Sequence, residues 1–333
     1  MLYMNFLSNF FPDRVSCETA EELRTKFFLD GEQPVRPKLI FDVAQPGAGK
    51  STLASILFQQ AQNGEAWWRL DKDKLREFCP TYSAAKNNPF TMSLFTNQTS
   101  QKCYRTILQT ALQSKQNILV EGGVRSAAYI ALLGFAIKAR GYSIDMHIMG
   151  AHWRDSLLGI VSRFEAGLEN SDVARWVCLR KHELAVRTII GMTRRIEQLP
   201  LCHSITVHKR PYVSTKLSNT SPNREKASQL LQAVHCGIWT QQRREDHLHQ
   251  AESLRDKVHS RKKYSPPWYR ELMTRIVLQA QDLVDGNDGV LHVDCHAPLT
   301  KIESARLQSV RPPLSRKDYA LNHLKNYGVV KRF

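Results

Sequence analysis

Residues 44–51 read Ala44-Gln45-Pro46-Gly47-Ala48-Gly49-Lys50-Ser51. An apolar run precedes them, Leu39-Ile40-Phe41-Asp42-Val43, and reads as a buried strand. Thr52-Leu53-Ala54-Ser55-Ile56-Leu57-Phe58 follows, with apolar residues at helical spacing. Strand, glycine-rich turn, Lys-Ser and helix are the context of a phosphate-binding P-loop. The loop and the helix N-terminus present unpaired backbone N–H groups and a positive dipole end, which suit an anion. Gln45, Pro46, Gly47, Ala48, Gly49, Lys50, Ser51 and Thr52 are therefore the expected nucleotide contacts. Lys50 would reach the β- and γ-phosphates of ATP, and the Ser51 hydroxyl would ligate Mg²⁺. The motif asks for glycine at position 44, where this chain has alanine; a Cβ there costs strain if φ is positive.

Working outward, the next acidic positions lie where strands end. Ala66-Trp67-Trp68-Arg69-Leu70 is a short strand candidate running into Asp71-Lys72-Asp73. Open α/β sheets bind ligands at this rim. Asp71 reads as a cap for a helix over 74–78, and Asp73 as a general base across from the phosphates. Residues 82–98 are polar and read as a loop, with a helix from Thr99 to Ser114. Asn117–Gly123 is a second buried strand ending in Glu121 and two glycines, with Arg125 just beyond as a candidate substrate contact. Glu121 would touch metal-bound water or an acceptor hydroxyl, or else cap a helix. A helix over 128–140, a strand over 143–149, helices over 153–164 and 182–199, and a strand over 203–208 continue the alternation. That alternation predicts an α/β, three-layer P-loop sandwich around a mainly parallel five-stranded sheet. Arg163 and Arg175 flank a polar turn, as in a nucleotide-kinase lid, where guanidinium groups meet the charge on a transferred phosphoryl group. Two surface salt bridges are the alternative reading of the same pair.

These motifs resemble the zeta-toxin family of P-loop kinases, relatives of polynucleotide kinases. The resemblance covers roughly residues 36–210 and rests on the P-loop, on Leu70-Asp71-Lys72-Asp73 with Pro80, on Leu119–Ser126, and on Arg163-Phe164-Glu165 with Val173-Ala174-Arg175. It implies a kinase that phosphorylates the 3′-hydroxyl of the amino sugar of UDP-N-acetylglucosamine and is restrained by a small helical antitoxin. On that resemblance Asp73 takes the sugar proton, Glu121 helps hold the acceptor, Arg163 and Arg175 clamp the phosphoryl group, and Arg125 contacts substrate. Ala44 departs from the family's first glycine, and Gly123 stands where some members carry a hydroxyl residue.

Composition narrows the remaining classes. The net charge of +16 invites nucleic acid, acidic proteins or phosphorylated small molecules, and aromatics do not alternate with basic residues as on a stacking platform. Nucleic acid is therefore a possible but unfavoured partner. No apolar run reaches the roughly 18 residues of a membrane span. The N-terminus lacks a basic region, and the seven cysteines are scattered and odd in number, which predicts reduced thiols and a cytoplasmic protein. The expected organisation is an N-terminal helical segment over 1–36, a kinase domain over 37–210, a linker over 211–225, and a mainly helical C-terminal extension over 226–333 whose role the residues leave open. Within that extension, His292-Val293-Asp294-Cys295-His296 has the alternation of a strand rather than the spacing of a metal site.

Overall fold

The computed structural model describes residues 17–61, 64–80, 82–87, 89–90, 92–123, 127–170, 174–210, 213–218, 226–261 and 265–286. The 292–296 stretch and Arg125 lie outside them. Helix α1 (Cys17–Phe27) leads into β1 (Phe28–Leu29), and β2 (Lys38–Ala44) delivers the chain to the P-loop and α2 (Lys50–Ala61). Then come β3 (Trp67–Asp71), a 3₁₀ turn (Lys74–Phe78), α3 (Tyr82–Lys86), α4 (Met92–Gln113), β4 (Asn117–Gly123), α5 (Ala127–Lys138) and β5 (Ser143–Met149). The core closes with α6 (Trp153–Glu169), α7 (Leu179–Ile196), β6 (Ser204–Lys209) and β7 (Val213–Ser218). Three helices follow: α8 (Ala227–Cys236), α9 (Gln241–Ser260) and α10 (Pro267–Val284).

The sheet has seven strands in the order β1-β3-β4-β2-β5-β6-β7. The parallel core β3-β4-β2-β5-β6 is the expected five-stranded sheet, and β1 and β7 extend it as antiparallel edges. β7 occupies the stretch read as a linker: its Ser, Thr and Lys residues carry no apolar run, and pairing with β6 from Ser204↔Ser218 to Lys209↔Val213 fixes it. Crossovers bury both faces of β2, which explains its continuous run from Leu39 to Ala44.

The polar loop expected over 82–98 is instead α3 followed by the first turns of α4. Its inward positions are Met92, Thr96, Ser100 and Cys103, all buried, so the helical period runs through hydroxyl residues and escapes an apolar count. α6 extends past Phe164 to Glu169. The main core gathers α1, α4, α5 and α7 on one face of the sheet, while α2 covers the other through Leu53, Ala54 and Leu57.

A separate apolar cluster joins α6 to the C-terminal helices: Leu157, Val161 and Phe164 pack with Ala251, Val258, Tyr269, Met273 and Ile276. Around Phe164 the rings of Phe90, Trp176 and Tyr269 stand 4.9–5.6 Å away. Glu165, buried beside Phe164, accepts a hydrogen bond from the Tyr269 hydroxyl at 2.8 Å and pairs with Arg261. The acid of the Arg-Phe-Glu motif thus ties the C-terminal helices to the helix that carries Arg163.

Candidate active site

β2 ends at Ala44, whose backbone stays in register with Gly123 and Met149. Among the described residues the one non-glycine with positive φ is Lys115, so position 44 makes no demand for glycine, and the Ala44 methyl is buried in the α2 core. The left-handed positions in the loop are Gly47 (φ 80°) and Gly49 (φ 99°); the motif requires glycine at 49, and the backbone requires it at both. Gly47 is crowded as well, because a Cβ there would overlap the Ser156 carbonyl oxygen of α6. Gly159, one turn on, would overlap the Gly47 carbonyl oxygen if it carried a Cβ. The loop is therefore seated backbone to backbone on α6.

Side chains lock this seat. The Gln45 amide donates to the Ala151 carbonyl at 2.8 Å and to Ser156 Oγ at 2.9 Å, and Ser156 meets His182 at 2.7 Å. Gln45 thus spends its side-chain donors on the α6 junction, while its carbonyl accepts from the Ala48 N–H at 3.3 Å and closes the loop's turn. Arg210, just after β6, donates to the Gly47 carbonyl at 3.1 Å. Ala48 is fully buried, whereas Pro46, Gly47, Gly49, Lys50, Ser51 and Thr52 line a cavity of about 1300 Å³.

That cavity brings together the residues singled out from sequence. Asp73, Glu121, Arg163 and Arg175 line it with Lys50 and Ser51. β2 and β4 place Asp42 and Glu121 side by side in register. Glu121 is buried; its Oε2 stands 3.2 Å from Lys50 Nζ and its Oε1 2.8 Å from Arg69. Arg69 also donates to Ser55 Oγ on α2 at 3.1 Å. Beneath them Asp42 is fully buried, with both carboxyl oxygens lacking a hydrogen-bond partner among the described residues. Burial raises its pKa well above the carboxylate range; Lys50 and Arg69 oppose the shift and Glu121 adds to it.

Asp73 follows β3 at the turn into the 3₁₀ segment. Asp71 fixes that turn by accepting from the Asp73 N–H at 2.9 Å, a structural role; the N-cap position itself falls on Asp73, not on Asp71 as the sequence suggests. Asp73 pairs with Arg175 through one oxygen and with Arg76 Nε, at 3.3 Å, through the other. Burial pushes its carboxyl up, but Arg175, Arg76, Arg163 and Lys50 together outweigh burial and hold it at about 2. Arg76 is itself buried, and donates to Thr96 Oγ1 on α4 at 2.8 Å. Arg163, exposed on α6, loses basicity first to desolvation by the protein crowded around it and next to Arg175, while Asp73 and Asp71 support its charge.

Sequence reading missed three supports: Arg69, Arg76 and Asp42. Arg76 lies three residues from Asp73, a spacing that puts both on one side of a helical turn and could have signalled the pair. Among the described residues no three His, Cys, Asp or Glu side chains converge as a metal cluster. The donor set suits a Mg²⁺ held by one hydroxyl and by phosphate oxygens; Ser51, in the first turn of α2 and lining the cavity, would be that hydroxyl. No helix among the described residues is long and apolar enough to cross a membrane.

A parallel sheet with the glycine loop at the end of its central strand, and an acid and two arginines across the cleft, defines a P-loop kinase-like protein. The zeta toxin family profile matches residues 20–223, and the chain belongs to the zeta toxin family. Toxin PezT of Streptococcus pneumoniae serotype 4 (strain ATCC BAA-334 / TIGR4) is 23% identical over 212 residues, covering 63% of this chain and 82% of that protein. Toxin zeta of Enterococcus hirae is 23% identical over 224 residues, covering 67% and 73%. A chain from the PezAT chromosomal toxin–antitoxin system of Streptococcus pneumoniae shares the fold, with a TM-score of 0.60 at 20% identity, over 73% of this chain and 98% of that one.

Proposed function

We propose that the chain is the toxin of a toxin–antitoxin pair and an ATP- and Mg²⁺-dependent kinase. Its acceptor on this reading is the 3′-hydroxyl of the amino sugar of UDP-N-acetylglucosamine. The observation that carries the phosphotransfer reading is the shared Asp73: one carboxylate held by two arginines, opposite Lys50 in the same cavity. Asp73 orients the sugar hydroxyl and takes its proton as the oxygen–phosphorus bond forms and ADP leaves. Lys50, released from Glu121, and Arg163 and Arg175 meet the charge on the phosphoryl oxygens. Arg175 links the two halves of the reaction. As it turns to the phosphoryl group, Asp73 loses its strongest cationic partner and gains basicity when the proton arrives. The Ser51 hydroxyl would hold Mg²⁺ on the protein side, and the bound ion would supply further charge neutralisation at the phosphates. An antitoxin partner restraining this activity is expected by kinship with the PezAT toxin–antitoxin system, and the family resemblance makes it a small helical protein.

One observation favours a second acceptor. The exposed face of α7 carries Arg180, Lys181, Arg187, Arg194 and Arg195, a basic stripe suited to a polynucleotide with a 5′-hydroxyl end. The test offers the protein γ-labelled ATP with UDP-N-acetylglucosamine or with a 5′-hydroxyl oligonucleotide. Label on the sugar nucleotide alone is expected. Label on the oligonucleotide alone would move the assignment to a polynucleotide kinase.

A further inference from the structure

We propose that α9, in the C-terminal extension, forms the nucleoside half of the ATP site, with the polar face of His249, Gln250 and Ser253 taking the base and ribose. The inference rests on the phosphotransfer reading above and adds a binding role for a helix that the P-loop motifs do not reach.

Sheet order gives the direction. Asp73 follows β3 and Glu121 lies near the end of β4, on one side of central β2; Arg210 and α6 follow β6 and β5, on the other. Phosphoryl transfer runs in line, with the acceptor oxygen and the departing ADP on opposite sides of the phosphorus. An acceptor held at Asp73 therefore sends the nucleoside toward the β5–β6 side.

α9 is on that side. Its first turn meets the first turn of α6 through Arg243 and Asp155 at 2.6 Å, and its last turn meets the last turn of α6 through Lys257 and Glu169 at 3.2 Å. The two helices thus run side by side and parallel for about 20 Å. Asp155 also receives His247 at 3.4 Å, so the N-terminal half of α9 is anchored beside the P-loop seat. From this position His249, Gln250 and Ser253 face the cavity that Gly47, Thr52 and Arg210 also line. All three are exposed and polar, while Ala251 and Val258 on the same helix are buried in the cluster beneath. The Gln250 amide offers a donor beside an acceptor, the pairing that adenine presents on its amino and N7 edge. The Ser253 hydroxyl suits a ribose oxygen.

Calorimetry on the full chain tests this without any acceptor, comparing Mg²⁺–ATP with Mg²⁺–tripolyphosphate, which fills the P-loop but has no nucleoside. The wild type is expected to bind ATP more tightly than tripolyphosphate. Gln250→Ala/Ser253→Ala is expected to weaken ATP roughly tenfold, the loss of two neutral hydrogen bonds, and to leave tripolyphosphate unchanged. Unchanged ATP affinity in the variant, or an equal loss for both ligands, would overturn the assignment. A wild type that bound the two ligands alike would also overturn it and leave the phosphate site standing. A wild type that bound neither would remove the kinase reading itself.

Discussion

Lys50 Nζ lies 3.2 Å from Oε2 of Glu121, and Arg69 holds the other oxygen of the same carboxylate at 2.8 Å. Glu121 thus aligns the P-loop lysine from the neighbouring strand while lining the same cavity as Asp73. Replacing it with alanine leaves two partly buried cations without their acid. We expect Glu121→Ala to lower kcat/KM by at least about a hundredfold and to cost about 3 kcal/mol of stability. Steady-state kinetics and urea unfolding measure both; unchanged kinetics would remove Glu121 from the site.

Arg76 acts on the reaction through Asp73. It is braced by Thr96 and holds the carboxylate oxygen that Arg175 does not. The groups that set the Asp73 charge are Arg175, Arg76, Arg163 and Lys50, against burial. A depressed carboxyl is active as a base above its pKa, so with Asp73 as the base the acid limb of kcat/KM is expected far below neutrality in the wild type. Removing one cation raises the pKa and moves that limb to higher pH. Arg76→Gln is expected to shift the limb upward by about one pH unit, and Thr96→Val by less in the same direction. A lower rate with an unmoved pH profile would make Arg76 merely structural.

The contact of Gly47 with Gly159 is where the loop meets α6 most closely. Gly159→Ala sets a methyl group against the Gly47 carbonyl oxygen, with backbone on both sides and no side chain to yield. We expect a destabilisation of about 1–3 kcal/mol together with weaker ATP binding. Gly191→Ala on exposed α7, where a Cβ meets nothing within 4 Å, is the control and should be neutral or slightly stabilising. Thermal unfolding with and without ATP separates the two effects.

Asp42 offers a stability test with a definite sign. Its pKa is raised in the folded protein, so the unfolded chain gives up this proton at lower pH than the folded one. Stability is lost as pH rises above about 4 and the unfolded carboxyl ionises. Asp42→Asn removes that penalty. The variant should melt at a higher temperature than the wild type at pH 7, with the difference shrinking toward pH 4. A variant less stable at pH 7 would mean that the Asp42 charge supports the fold.

Much of this was legible in the sequence because the chemistry sits at strand ends. Gly47, Gly49, Lys50, Asp73, Glu121, Arg163 and Arg175 were readable as a set, and the cavity contains them all. The concern over Ala44 dissolves in the backbone: the chain leaves β2 after Ala44, and its left-handed turn begins at Gly47. Arg69 and Arg76 stayed hidden because a basic residue in a strand or short helix reads as solvated until its acid is placed. Thr96 and Ser100 hid a helix because they are buried without being apolar. The place of α9 could not be read at all, since Arg243–Asp155 and Lys257–Glu169 join segments far apart in the chain.

The most direct measurement of the central claim is single-turnover transfer from γ-labelled ATP to UDP-N-acetylglucosamine by the wild type and by Asp73→Asn, with ATP binding measured in parallel. The account predicts labelled sugar nucleotide with the wild type, retained ATP affinity in the variant, and a loss of transfer of about a hundredfold or more. Equal transfer by the two proteins would contradict the role of Asp73, and ATP binding with no label on the sugar nucleotide would contradict the acceptor.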